Sequence, residues 1–282
     1  MKKSLYLLII SCLFCQQGVL VAQQEEEKVE ILYYGKPMEH ITPQRVNHFF
    51  NKVVTDSYNI WKKIFTLHSM KVLTATMPFY LAGRKADAAV HRQLYDQATH
   101  TNKHQPPEWL KTLLYEETMA IPLLGYGILG ILHKDAVTRR AAQVFGTGLI
   151  WAWASKIIVK EVFKTDANLR PWCEGFSKHE QTHGGNPSGH TSMAAYFATY
   201  MWLYQGAWIG VPATVYATAI AGMSVAVNHH YLSQVIAGAG LGALFGMAAY
   251  SVFSDWNLPE EVTVGLDLNN KGQLGLKVAY SF

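Results

Sequence analysis

The chain has 282 residues, a formal net charge of +4 and a hydrophobic content of 50%. Its basic residues are scattered and form no stripe interleaved with aromatics, which argues against nucleic acid as a partner. A mean hydropathy of only +0.04 excludes a chain made wholly of membrane spans, so the apolar residues must be concentrated.

Residues 1–22 read as an export signal: Lys2 and Lys3 form the positive end, Ser4 to Leu13 the apolar stretch, and Val19-Leu20-Val21-Ala22 a small-residue cleavage region. Cys12 and Cys15 fall inside it, which leaves only Cys173 and therefore no internal disulfide framework. Residues 23–63 read as a polar, acidic tail followed by a helix. Thr42-Pro43 supplies a capping hydroxyl and a proline at the first helical position. Val46, Phe49, Phe50, Val53, Trp61, Ile64 and Phe65 then recur at helical spacing, as in an amphipathic helix lying on a membrane or on the protein.

Apolar segments follow at about 64–83, 118–133, 141–155, 191–211, 211–228 and 231–253. The expected architecture is an all-α, membrane-embedded bundle of five to six apolar helices over residues 64–256. From Pro187 to Ser254 there is no Lys, Arg, Asp or Glu. A bilayer penalises each such charge by about 2.5–3.5 kcal/mol, and a span needs about 20 apolar residues, which only the last three segments reach easily. The first segment contains His68 and Lys71 and reads as a re-entrant or surface piece, and 84–117 as a solvated helix and loop broken at Pro106-Pro107. Lys134, Arg139 and Arg140 crowd a short connection expected to face the cytoplasm, with 156–186 and the 228–230 turn on the outer side. Gly238, Gly242 and Gly246, spaced by four, fit close helix packing within the bundle or helix dimerisation.

Residues 257–282 change period from helical to two. Val262, Val264, Leu266 and Leu268, then Leu274, Leu276, Val278, Tyr280 and Phe282, predict a C-terminal β-hairpin with 262 opposite 280 and 268 opposite 274, turning at Asn270-Lys271-Gly272.

The residues able to carry chemistry lie between Lys164 and His230. Lys164 and Arg170 are cations at the end of an apolar helix. Pro187-Ser188-Gly189-His190 offers a hydroxyl, a bare backbone and an imidazole at the start of the next helix, where free N–H groups hold anions. Two apolar segments later the chain returns with Asn228-His229-His230. Two histidines and two cations around a helix N-terminus suit phosphoryl transfer: one imidazole attacks phosphorus, the other protonates the leaving oxygen, and cations and N–H groups hold the developing charge.

These blocks resemble the type 2 phosphatidic acid phosphatase and vanadium haloperoxidase superfamily, whose pattern is Lys-x6-Arg-Pro, then Pro-Ser-Gly-His, then Ser-Arg-x5-His-x3-Asp. The second block is intact as Pro187 to His190; the first matches as Lys164…Arg170-Pro171 with one residue fewer between; the third matches through His230. The resemblance implies a metal-free phosphatase of a lipid-linked phosphate or pyrophosphate. Its substrates would be a phospholipid, a polyprenyl pyrophosphate or a lipid A phosphate, met at the outer, periplasmic face of a cell inner membrane. It further implies that Lys164, Arg170, Ser188 and the Gly189 N–H bind phosphate, that His190 is the general acid and that His230 forms the phosphohistidine. Two positions depart from the pattern: Ser224 stands where an arginine is expected and Gln234 where an aspartate would hold the His230 ring. A degenerate member that binds lipid or a partner without catalysis is the alternative these departures suggest. A zinc hydrolase is a second alternative, because His179-Glu180-Gln181-Thr182-His183 fits His-Glu-x-x-His; Gly184 to Pro187 would stop the helix that motif needs.

Overall fold

The computed structural model describes residues 32–33, 36–37, 43–96, 101–103, 106–114, 116–133, 135–162, 169–171, 185–257, 262–268 and 274–280. The export signal at 1–22, Lys164, Cys173, the His179–His183 motif and the hairpin turn lie outside them. The chain divides into two compact units, residues 1–55 and 56–282. In the first, strands β1 (Leu32–Tyr33) and β2 (Lys36–Pro37) pair antiparallel.

The second unit is a helical bundle. Helix α1 (Pro43–Ile64) buries Asp56, Ile60 and Ile64, one residue per turn, and stops before Thr66. Thr66 opens α2 (Leu67–Leu94), its hydroxyl donating to the Lys63 carbonyl at 2.7 Å and accepting from Ser69 N–H at 3.4 Å. The expected boundary at residue 83 is not one: α2 runs on for three turns through sequence expected to be solvated. Most of this stretch is exposed, as expected of a solvated helix, and it is fixed to the bundle along one side, where Gly83 lies against Ser233 and Ile236 and Asp87 is buried. Strands β3 (Tyr95–Asp96) and β4 (Thr101–Asn102) follow, then a short helical turn, Glu108–Lys111.

Helices α3 (Glu116–Leu132) and α4 (Ala136–Val162) come next. Arg139 and Arg140 lie inside α4 rather than in the connection, and α4 carries Lys156 and Lys160 beyond the apolar stretch expected to end at 155. Helices α5 (Gly189–Gln205) and α6 (Ala207–Ala226) meet at Gly206, whose φ of 70° turns the chain, instead of at residue 211. Pro212 is the sixth residue of α6 and the helix runs through it, so it marks no boundary. Helix α7 (Leu232–Asn257) completes the bundle. Among the described residues three stretches are long and apolar enough to cross a membrane: Ala136–Glu161, Ala207–Ala226 and Leu232–Trp256. The expected long span at 191–211 is the 17-residue α5, shortened by the turn at Gly206.

The core lies where α4, α5 and α7 meet. Tyr196 and Tyr200 of α5 are fully buried and donate their hydroxyls to the α4 carbonyls of Phe145 (2.6 Å) and Ala141 (2.8 Å), so these large rings bring no orphaned polar atom into the core. The glycine stripe of α7 faces α5 within the bundle. A Cβ on Gly238 would lie 2.5 Å from the Ser188 carbonyl oxygen, one on Gly246 3.0 Å from that of Tyr196, and Gly242 packs against the Ser192 carbonyl. At one end of the bundle Arg140 forms a two-pronged ion pair with Asp56 (2.5 and 2.6 Å) and lies over the Trp256 ring, while Lys63 pairs with Asp255 at 2.6 Å. That end holds the start of α4 and the finish of α7; the other end holds the candidate site. Strands β5 (Val262–Leu268) and β6 (Leu274–Tyr280) pair antiparallel, with Val262 opposite Tyr280 and Leu268 opposite Leu274.

Candidate active site

The start of α5, the turn before α7, the Leu169–Pro171 segment and the end of α4 converge. Ser188 is fully buried ahead of α5: its N–H donates to the Gln234 carbonyl at 2.9 Å and its carbonyl accepts from Ser192 N–H at 3.0 Å. The Ser188 hydroxyl lies 3.1 Å from that of Thr191, so it turns along its own helix. Gly189 and His190 occupy the first turn, whose N–H groups have no partner one turn back. A Cβ on Gly189 would come within 2.9 Å of the Lys156 ammonium, so that side chain lies against this turn.

His230 is 3% exposed and Gln234 is fully buried. The His230 ring is held at Nδ1, which donates to the Gly185 carbonyl at 2.8 Å and lies 3.3 Å from Gln234 Oε1. That contact leaves Nε2 as the ring nitrogen with a lone pair. Gln234 Oε1 also accepts from Tyr231 N–H at 3.2 Å, and its Nε2 donates to the Leu169 carbonyl at 2.5 Å, next to Arg170.

The charges around the three histidines are positive. Burial and then Lys156, His229, Lys160 and Arg170 hold His190 down at about 4. Burial and then Arg170 hold His229 at about 4. Burial, then Arg170, Lys160, His190 and His229, hold His230 well below the ordinary histidine value. All three rings are therefore neutral at pH 7, and an arriving phosphate anion would offset the cations.

Lys156 and Lys160 were not among the expected site residues. Their signal was present: two lysines one turn apart near the end of an apolar helix share a face. Ser224 turns away, donating its hydroxyl to the Ile220 carbonyl at 2.9 Å, so the cations of this site come from α4 and the Arg170 segment. Residues of α2 and β4 also brace the site, unannounced by any motif. Asp87 accepts from Ser233 N–H (2.9 Å) and hydroxyl (2.6 Å) at the start of α7. Asn228, at φ 57°, accepts from His91 Nδ1 at 3.3 Å and donates to Asn102 Oδ1 at 2.6 Å. Among the described residues no three His, Cys, Asp or Glu side chains gather as a metal-ligand cluster.

The stretch holding all of these elements from α4 onward, residues 145–258, matches the family model of the PAP2 superfamily. These residues belong to the PAP2 superfamily. The matched stretch begins within α4 and ends just past α7. A solved structure titled the first transmembrane PAP2 type phosphatidylglycerolphosphate phosphatase from Bacillus subtilis is similar at 14% identity and a TM-score of 0.49, covering 70% of this chain and 100% of that one. No curated protein matches the chain.

Proposed function

We propose that this PAP2 protein is a membrane phosphatase that hydrolyses a lipid-linked phosphate or pyrophosphate at the outer face of the membrane. The observation that carries the reading is the convergence of His230, with Nδ1 engaged and Nε2 left for attack, on the first turn of α5 and on Lys156, Lys160 and Arg170. Phosphate sits on the Gly189 and His190 N–H groups, beside the Lys156 ammonium and the Arg170 guanidinium, with Lys164, by the family pattern, as a further cation. Nε2 of His230 attacks phosphorus, the bond from phosphorus to the lipid oxygen breaks, and His190 gives that oxygen its proton. Water then attacks the phosphohistidine, His190 takes its proton, and the bond from phosphorus to nitrogen breaks to release phosphate. His190 acquires the proton it needs as the phosphate dianion binds, because burial and the surrounding cations otherwise hold its ring at about 4.

The test is phosphate release by the purified full-length protein in mixed micelles of phosphatidic acid or a polyprenyl diphosphate, with and without a chelator. His190→Ala and His230→Ala are expected to lose at least a thousandfold in rate, and the chelator to change nothing. Release that stops with chelator and needs His179 and Glu180 would replace this reading with the zinc hydrolase. No release from any lipid phosphate would replace it with a lipid-binding role.

A further inference from the structure

Resting on the phosphatase reading above, we propose that Gln234 is a positioning residue that ties the nucleophile, the phosphate-binding arginine and the α5 N-terminus into one unit. In the same arrangement the main-chain carbonyl of Gly185, rather than a carboxylate, fixes the tautomer of His230. The site then works because position 234 is an amide.

Gln234 turns its main-chain carbonyl and both ends of its side-chain amide toward this site. Its carbonyl receives Ser188 N–H at 2.9 Å, one residue before the phosphate-binding turn. Its Oε1 receives Tyr231 N–H at 3.2 Å and lies 3.3 Å from His230 Nδ1. Its Nε2 donates to the Leu169 carbonyl at 2.5 Å, one residue before Arg170. The three stretches that the family pattern separates in sequence are joined through this one fully buried side chain and its backbone. An amide can do this because it both accepts and donates; an aspartate or glutamate in its ionised form only accepts. A carboxylate here would leave the Leu169 carbonyl without its donor and set negative charge against it.

The ring needs no carboxylate for orientation. Nδ1 is nearer to the Gly185 carbonyl, at 2.8 Å, than to Gln234, at 3.3 Å. A carbonyl oxygen can only accept, so Nδ1 carries the hydrogen and Nε2 the lone pair. A neutral acceptor also leaves the imidazole unprotonated beside the cations Arg170, from the 169–171 segment, and Lys160, from α4, and the neutral rings of His190, from α5, and the adjoining His229. Asp87, from α2, is engaged by the N–H and hydroxyl of Ser233. A carboxylate at 234 would pull a proton onto the nucleophile and block it over a wider pH range.

The experiment compares full-length wild type, Q234E, Q234D and Q234L. It measures phosphate release from phosphatidic acid against pH, and the ¹⁵N chemical shifts of the His230 ring nitrogens, assigned by loss of signal in His230→Ala. Q234E keeps the side chain's size, and thermal unfolding of each variant reports whether it is folded. The proposal expects Q234E and Q234D to fall at least tenfold in kcat at their pH optimum, with the acid limb of kcat/KM moved up by about one pH unit or more. It expects Nδ1 to remain protonated in wild type and in Q234L. Q234D or Q234E equalling or exceeding wild type would overturn it, as would a His230 proton on Nε2 in wild type or in Q234L. If wild type releases no phosphate the phosphatase reading fails, and the ring-nitrogen shifts then decide alone whether Gly185 sets the tautomer.

Discussion

The three neutral histidines tie the stability of this protein to pH in a way that His190→Asn should expose. His190 is held at about 4 in the folded, unliganded protein, against an ordinary value near 6.5. Between these values the unfolded chain binds a proton that the folded one refuses, so stability falls as pH drops below about 6.5 and the loss levels off near pH 4. The difference corresponds to about 3 kcal/mol for this ring. For a domain of this size that amounts to roughly 6–12 °C in unfolding temperature. Asparagine keeps a polar group of moderate size and removes the titration. The assay is thermal unfolding in a neutral detergent at pH 7, 6, 5 and 4, with and without inorganic phosphate. The unfolding temperature of wild type should drop by several degrees more than that of His190→Asn across this range. Phosphate should flatten the wild-type curve, because a bound dianion offsets Lys156, Lys160 and Arg170 and lets the ring protonate. Parallel curves for the two proteins without phosphate would refute the placement of His190 among those cations.

Other outcomes follow from particular contacts. Lys156→Met should weaken binding of inorganic phosphate or orthovanadate about tenfold or more in equilibrium dialysis, since a hydrogen bond to a charged group contributes roughly 1.5–3 kcal/mol. Gly238→Ala should lower the unfolding temperature and reduce phosphate release together: its Cβ would meet the Ser188 carbonyl at 2.5 Å, and such overpacking costs about 1–3 kcal/mol. Arg140→Met alone should destabilise by about 3–5 kcal/mol by leaving Asp56 buried without its partner, while Arg140→Met combined with Asp56→Leu should recover most of that loss in the same melts. Asp87→Ala should cost about 1–2 kcal/mol through the lost cap on α7 and should raise KM or lower kcat, because Ser233 stands next to Gln234.

Much of the molecule was written in local patterns. A helix opening at Pro43 and the block Pro187 to His190 opening a helix follow from local rules, because helix termini are decided within a few residues. The boundaries that failed were those where packing overrides composition. The apolar segment expected to end at 83 continues as one helix into the solvated stretch to Leu94, anchored where Asp87 meets Ser233; two apolar segments expected to meet at residue 211 are divided instead at Gly206. The glycines at 238, 242 and 246 allowed two partners by spacing alone, and the α5 carbonyls lying against them decide for packing within the bundle.

The site divides along the same line. By itself the sequence determined that His190 opens a helix, that Arg170 and His230 flank it in chain order, and that an aspartate and an arginine of the family pattern are replaced by Gln234 and Ser224. Side-chain type and spacing carry that much. It could not determine what those replacements do, because a hydrogen-bond partner supplied by a distant backbone has no residue type to announce it. Only the tertiary structure sets the Gly185 carbonyl against Nδ1 of His230, turns the Gln234 amide to Leu169, and brings Lys156 and Lys160 over the first turn of α5. The physical reason is that main-chain carbonyls are the same at every position, and which one meets a buried imidazole is fixed by how the helices pack.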